Sequence, residues 1–346
     1  MRTLPRPIYS PGRSVFSRSR RQLLVSLAAL VGGTALLAGT AVVSGLAVAN
    51  PVAQVQTKVL RVGLQKSSTF NILRARGDLA RRFARQGIKV TWSEFTSGPP
   101  LLEALAAGKI DVGETGDAPV IFAQSKNAPI VYFGQSQPNP EAVALLVPPN
   151  SPIRTLADLN GKKVAFARGS SAVPLVVNAL AKAGLKLSDI TPVYLQPPEA
   201  RVAFESGKLD AWAVWDPFYA AAQVGGNARV LANGRGFTSF RLYFLANSEF
   251  AAANPGLLSP LIRDLRGAGQ WALSNPAKSA RFLSAATKVP LPVLELSERR
   301  RVGRYQVSPI QAGGLRDQQK LADSFVKLKL IPAPIRVSDI VVSLDS

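Results

Sequence analysis

The 346-residue chain contains no cysteine and no histidine. Disulfides, Cys/His metal sites and thiol nucleophiles are thereby excluded, and so is the side chain most often used as a general base near neutral pH. Metal binding by carboxylates alone stays open. Acidic residues are also scarce: 21 Asp and Glu stand against 42 Lys and Arg, giving a formal net charge of +21. That balance favours anionic partners, whether nucleic acid, a membrane surface or a small anion. Aromatics make up only 7% of the chain and the longest basic run is Arg299-Arg300-Arg301, so no platform of interleaved rings and cations for nucleic acid is visible. No nucleic-acid partner is expected, and most of the charges read as a solvated basic surface.

What is present points first to export. Arg2, Arg6, Arg13, Arg18, Arg20 and Arg21 precede an uncharged run from Leu23 to Val48, closed by the small residues Ala47 and Ala49. This is the pattern of a cleavable signal peptide over residues 1–49, leaving a mature chain that starts at Asn50 in the periplasm. The run Ser19-Arg20-Arg21-Gln22-Leu23-Leu24 is similar to a twin-arginine signal. The alternative is an uncleaved membrane anchor, for which the run is long enough. Loss of the six arginines takes the net charge from +21 to +15, still basic.

The remainder is globular in composition, with 47% hydrophobic residues over the whole chain, and long enough for two domains. Short apolar runs alternate with helical segments from Thr57 to about Asn247, which predicts an α/β protein with mostly parallel sheets. From about Leu257 the pattern becomes mainly helical.

Two segments are alike. GKIDVGETGDAP at 108–119 and GKLDAWAVWDPF at 207–218 each run Gly-Lys-(Ile/Leu)-Asp, then a strand-like stretch, then an aspartate eight positions after the lysine and a proline close behind. Each follows a helical segment, so Gly108 and Gly207 fit helix C-terminal caps, and Asp117 and Asp216 stand where a strand gives way to a helix. The duplication predicts two similar α/β lobes. In such sheets the C-terminal strand ends and the following helix N-termini face one crevice, where free N–H groups favour anions. Gln65-Lys66-Ser67-Ser68-Thr69, Thr96-Ser97-Gly98-Pro99 and Gly169-Ser170-Ser171 are further junctions of this kind. Ser97, Asp117 and Ser171 are equally good N-cap residues, so capping competes with ligand binding at each.

The segments VGLQK, WSEFTSGPPLLEAL, DVGETGDAPVIFAQ, NSPIRTLADLNGKKVAFARGSSA and DAWAVWDPF, in this order, closely resemble the periplasmic substrate-binding proteins of ABC importers for aliphatic sulfonates. The resemblance implies a type II periplasmic binding protein: two α/β lobes joined by a two-crossing hinge, residues 58–142 plus 246–346 forming lobe 1 and 143–245 forming lobe 2. It further implies a non-enzymatic monomer that needs no cofactor or metal, captures an alkanesulfonate and passes it to a permease in the inner membrane for sulfur uptake. Gln65, Ser97, Gly98, Gly116 and Asp117 would line the cleft from lobe 1. From lobe 2, Ser170 and Ser171 would supply donors to the sulfonate and Trp215 an apolar wall for the alkyl part. Asp216 would cap or orient its loop, since a bare carboxylate repels an anion. Trp212, three residues from Trp215, would face the core. Related proteins bind taurine, nitrate or pyrimidine (thiamin) precursors, and those alternatives stay open, because Val173-Pro174 stands where the family often has a histidine or another polar residue. With hydroxyls and amides as donors, binding is expected to be nearly flat between about pH 5.5 and 8, with Asp117 the first group to suspect if it is not.

Overall fold

The computed structural model describes residues 57–344 apart from Ser67. The expected signal peptide and its cleavage after Ala49 lie outside the described residues. Ten strands, β1 (Val59–Leu64), β2 (Lys89–Glu94), β3 (Val112–Gly116), β4 (Ile130–Gln135), β5 (Val143–Val147), β6 (Lys163–Phe166), β7 (Thr191–Tyr194), β8 (Ala211–Trp215), β9 (Arg229–Asn233) and β10 (Leu242–Asn247), form two sheets. Their orders are β2-β1-β3-β10-β4 and β7-β6-β8-β5-β9, the same arrangement twice. In the first sheet β1 runs parallel to β2 and β3, while β10 is antiparallel to β3 and β4. In the second, β6 is parallel to β7 and β8, and β5 is antiparallel to β8 and β9. Four strands of each sheet therefore share one direction, and the exception in each, β10 or β5, is the first strand after the chain crosses between the lobes.

The helices are α1 (Phe70–Arg76), α2 (Asp78–Ala84), α3 (Gly98–Ala106), α4 (Asp117–Gln124), α5 (Ala172–Lys182), α6 (Pro197–Glu205), α7 (Phe218–Val224), α8 (Ser248–Ala253), α9 (Pro255–Ser274), α10 (Pro276–Thr287), α11 (Leu291–Glu298), α12 (Val302–Tyr305) and α13 (Ala312–Lys327). The twin segments occupy equivalent places. Gly108 (φ 64°) and Gly207 (φ 72°) take the left-handed conformation just past α3 and α6, where a Cβ would be strained. The aspartate that follows each fixes the next strand: Asp111 accepts the Arg61 N–H at 2.7 Å, and Asp210 the Lys163 N–H at 2.8 Å. β3 is thus tied to β1 and β8 to β6 by the same device.

The expected end of lobe 2 at residue 245 needs correction. Leu242–Asn247 is buried throughout and hydrogen-bonded to the first sheet on both edges, so the return crossing lies ahead of Leu242. The two crossings touch: Ser136 N–H donates to the Leu242 carbonyl and Asn139 N–H to the Ser239 carbonyl, both at 2.9 Å. A single buried cluster runs from β5 and Trp212 of the second sheet into Leu101, Leu105 and Ile121 on α3 and α4 of the first lobe. The lobes are packed together, which sets the width of the crevice between them.

Candidate functional site

β1, β3, β6 and β8 all end at the crevice, and α3, α4, α5 and α7 begin there. A small cavity of about 10 Å³ lies between the lobes, walled by Gln65, Gly98, Thr115 and Gly116 on one side and Ser170, Ser171 and Trp215 on the other, with Pro119, Phe240 and Arg304 completing it. A second pocket of about 130 Å³ adjoins it, sharing Gln65 and Trp215 and adding Lys66, Glu94, Phe95, Thr96, Pro198, Pro217 and Phe218. A wider groove of about 680 Å³ runs along α3, α4 and α5.

The small cavity owes its shape to two glycines. A Cβ on Gly98 would stand 2.0 Å from Thr115 Oγ1, and one on Gly116 would come within 1.9 Å of Ser171 Oγ in the facing lobe. The Gly116 approach is what lets the lobes meet over the cavity. An anion of several heavy atoms can enter so tight a space only when they part.

The charge at this point comes from Arg304. Its guanidinium is buried, and its Nε and Nη1 have no hydrogen-bond partner among the described residues. Burial and then Arg301 lower its pKa to about 10, so it stays cationic at neutral pH. Unsatisfied donors on a buried cation are costly unless an acceptor joins them. Ser170 Oγ caps its own loop by accepting the Ala172 N–H at 3.3 Å, which leaves its proton for another acceptor. Gln65 holds its amide toward the Glu114 carbonyl at 3.3 Å. A guanidinium, two serine hydroxyls and a threonine around one small space form a set of donors suited to a tetrahedral oxyanion.

The carboxylates stand behind this wall. Asp117 is buried, with Oδ1 accepting the Ala118 N–H at 2.8 Å and Oδ2 the Ser239 hydroxyl at 3.2 Å. Burial raises its pKa to about 6 against these hydrogen bonds. Asp216, fully buried, accepts the Ala220 N–H at 3.0 Å and so caps α7. Its pKa is also raised to about 6 by burial, opposed by Arg300, Arg301 and Arg304. Glu114 accepts the Thr69 N–H at 2.9 Å, and burial raises it too, opposed first by Arg304. The flat pH profile expected from the sequence took no account of three buried carboxylates beside the cavity.

Of the nine residues expected in the cleft, Gln65, Gly98, Gly116, Ser170, Ser171 and Trp215 line the cavity together. Ser97, Asp117 and Asp216 are buried next to it without lining it. Trp212 packs against Phe204, with ring centroids 5.7 Å apart. Sequence reasoning missed Thr115, Pro119, Phe240 and Arg304, and it read Arg299-Arg300-Arg301 only as the longest basic run. Arg301 is in fact buried against Glu298 and Tyr305, and Arg300 bonds Gln223 Oε1 at 2.9 Å while lying 3.8 Å from the Tyr219 ring centroid. No helical face announced them: α11 ends at Glu298 and α12 begins at Val302, so Glu298, Arg301 and Tyr305 meet across the turn between two helices.

Comparison with known proteins adds three findings. Residues 83–279 match the family described as NMT1/THI5 like. A protein of Escherichia coli K12 named for aliphatic sulfonate binding is 39% identical over 286 residues, covering 82% of this chain and 89% of its own. Two solved structures superpose over 84% of the chain: the alkanesulfonate-binding protein SsuA of Xanthomonas axonopodis pv. citri bound to MOPS, and the periplasmic aliphatic sulphonate binding protein SsuA of E. coli. The first has 39% identity, a TM-score of 0.79 and 99% of its own chain covered, the second 37%, 0.74 and 93%.

Proposed function

The chain belongs to the NMT1/THI5-like family and, within it, to the aliphatic sulfonate-binding proteins, and from that premise we propose that it captures alkanesulfonates between its lobes and delivers them to the permease of an ABC importer for sulfur uptake. One observation carries this reading: a buried, unsatisfied guanidinium at Arg304 shares a cavity with Ser170, Ser171, Thr115 and the Trp215 ring. The sulfonate oxygens accept from Arg304 and the two serine hydroxyls, while Gln65 and Thr115 complete the shell from the first lobe. Trp215 covers the first methylenes. Asp216 and Asp117 hold α7 and the Ser239 crossing in place and do not touch the anion. Ser97 stands at the start of α3 without capping it through its side chain, and its buried hydroxyl has no partner among the described residues.

The lobes act as residues 58–142 plus 242–346 and 143–241, closing about the paired crossings. Capture requires neither bond making nor breaking, and the protein works as a monomer in the periplasm after loss of residues 1–49. Nitrate, which has no carbon tail, would make no use of the Trp215 wall.

Thermal-shift and calorimetric titration of the chain from Asn50 against methane- to hexanesulfonate, taurine, nitrate, sulfate and pyrimidines tests the proposal. A cleft ligand stabilises the folded form by mass action, and alkanesulfonates should give the largest shifts. A larger shift with nitrate or a pyrimidine would overturn it.

A further inference from the structure

Four non-glycine residues among those described have a left-handed backbone: Asn127, Phe240, Lys288 and Lys329. Asn127, Lys288 and Lys329 are exposed and follow the ends of α4, α10 and α13, where such a turn is an ordinary way to stop a helix. Phe240 ends no helix. It lies on the return crossing with φ 45°, is 3% exposed and carries a bulky side chain, for which this conformation is strained. Such strain persists only where the surroundings over-determine the backbone, and it gathers at sites of function.

The surroundings do so here. On one side the Phe240 N–H donates to Thr238 Oγ1 at 3.1 Å, the Ser239 hydroxyl donates to Asp117, and the Ser239 carbonyl accepts the Asn139 N–H. On the other, Arg241 donates to the Ser136 carbonyl at 2.5 Å and to Asp317 at 3.2 Å. With both flanks held, the ring is set at the headgroup cavity, and Arg304 Cζ lies 5.8 Å from its centroid. The first crossing holds the segment that carries the same arginine, because the Gln137 N–H donates to the carbonyls of Gly303 and Gln306 at 3.2 and 3.1 Å.

Arg304 needs a support other than hydrogen bonds. Its Nε and Nη1 have no partner among the described residues, and Glu114 and Asp216 act on it through their charge. A cation without directional bonds is free to turn, so an arriving anion has to immobilise it at a cost in affinity. A ring face beside the planar guanidinium removes part of that cost in advance.

Resting on the sulfonate reading of the cavity, we propose that Phe240 is the positioning residue of the headgroup site: its ring, aimed by the strained return crossing, holds the Arg304 guanidinium in place for the anion.

Calorimetry of the chain from Asn50 with methanesulfonate, which has no tail to complicate the result, tests this with two substitutions that both remove the ring. Phe240→Leu keeps a side chain that resists positive φ, whereas Phe240→Gly relieves it. Both should weaken binding by about three- to tenfold. The fitted stoichiometry counts the folded protein, so a loss of folding is not read as a loss of affinity. In an Arg304→Lys background the compact ammonium offers the ring no plane, and either substitution should then cost less than about twofold. No loss in either variant, a loss in only one, or the same loss with and without Arg304→Lys would overturn the inference and leave the sulfonate reading intact. Where Arg304→Lys binds too weakly to titrate, the leucine and glycine variants decide alone, and where one of them does not fold, the other is read against the Arg304→Lys background. If the unsubstituted chain does not bind methanesulfonate, the headgroup reading falls and this inference falls with it.

Discussion

The two twin segments are built on one plan and end differently. Each has a left-handed glycine after a helix, an aspartate that staples the central strand to its neighbour, and a buried carboxylate at the crevice. At the end of β3 the residues are Thr115 and Gly116, small enough for the facing Ser171 to come within contact distance. At the end of β8 the corresponding residue is Trp215. One lobe offers an open backbone and the other a wall, so a single supersecondary unit used twice can hold a polar head and an apolar tail on opposite sides. The cationic group comes from neither copy. Arg304 is supplied by α12, outside both repeats.

The strongest way to break this division of labour is Arg304→Met. If the charge beyond the repeats anchors the head, methanesulfonate affinity should fall by about 2–5 kcal/mol, thirtyfold or more, by calorimetry. An unchanged affinity in a folded variant would return the anion to the serine loop alone. Next comes Gly116→Ala, whose Cβ would collide with Ser171 and hold the lobes apart. It should weaken every sulfonate alike by about 1–3 kcal/mol, the usual cost of overpacking. Loss of only the longer ligands would place closure elsewhere.

Trp215→Ala should discriminate where Gly116→Ala does not. Apolar burial is worth about 0.8 kcal/mol per methylene, so hexanesulfonate should lose more affinity than methanesulfonate, by about 1–2 kcal/mol. Equal losses would make Trp215 a structural residue. The smallest effect concerns pH. Asp117 has a folded pKa of about 6 against an ordinary 3.8, so the folded state holds the extra proton between those values. Its contribution to stability therefore falls as pH rises from about 4 to 6 and remains lost above that window. Asp117→Asn should flatten that part of the stability profile and raise the melting temperature at pH 7 more than at pH 4. A bound anion further favours protonated neighbours, so sulfonate affinity should rise a few-fold as pH falls from about 7 to 5. In Asp117→Asn the slope should shrink, and a slope that survives unchanged points to Glu114 or Asp216.

Strands such as β5 (VALLV) and β8 (AWAVW) were legible as apolar runs, β3 (VGETG) is polar over its second half and only its first part reads as a strand, and the lobes were legible because the twin segments share a spacing. Which sheet a strand joins was less legible. Leu242–Ala246 is apolar, and nothing in LYFLAN says that it pairs with β3 and β4 in place of its sequence neighbour β9. Trp215 and Trp212 could be sorted by strand alternation alone. Arg304 could not be found that way, since its buried charge is balanced by Glu114 and Asp216, which lie far from it in sequence. Surface and core arginines look identical until such partners are brought together.

The returning strand β10 also bears on how the molecule is made. β10 sits between β3 and β4, inside the first sheet and not at its edge, so that sheet has a missing rung until residue 247 has been synthesised. At the usual pace of translation, about 5–20 residues per second, the first four strands wait on the order of 10 s for the fifth. During that interval β3 and β4 face each other with unpaired backbone groups, the kind of edge that invites wrong partners. The second sheet draws all five strands from residues 143–233 and needs nothing from outside them, whereas a gene cut at either crossing would part β10 from β1–β4 and leave the first sheet to form only when the two pieces meet.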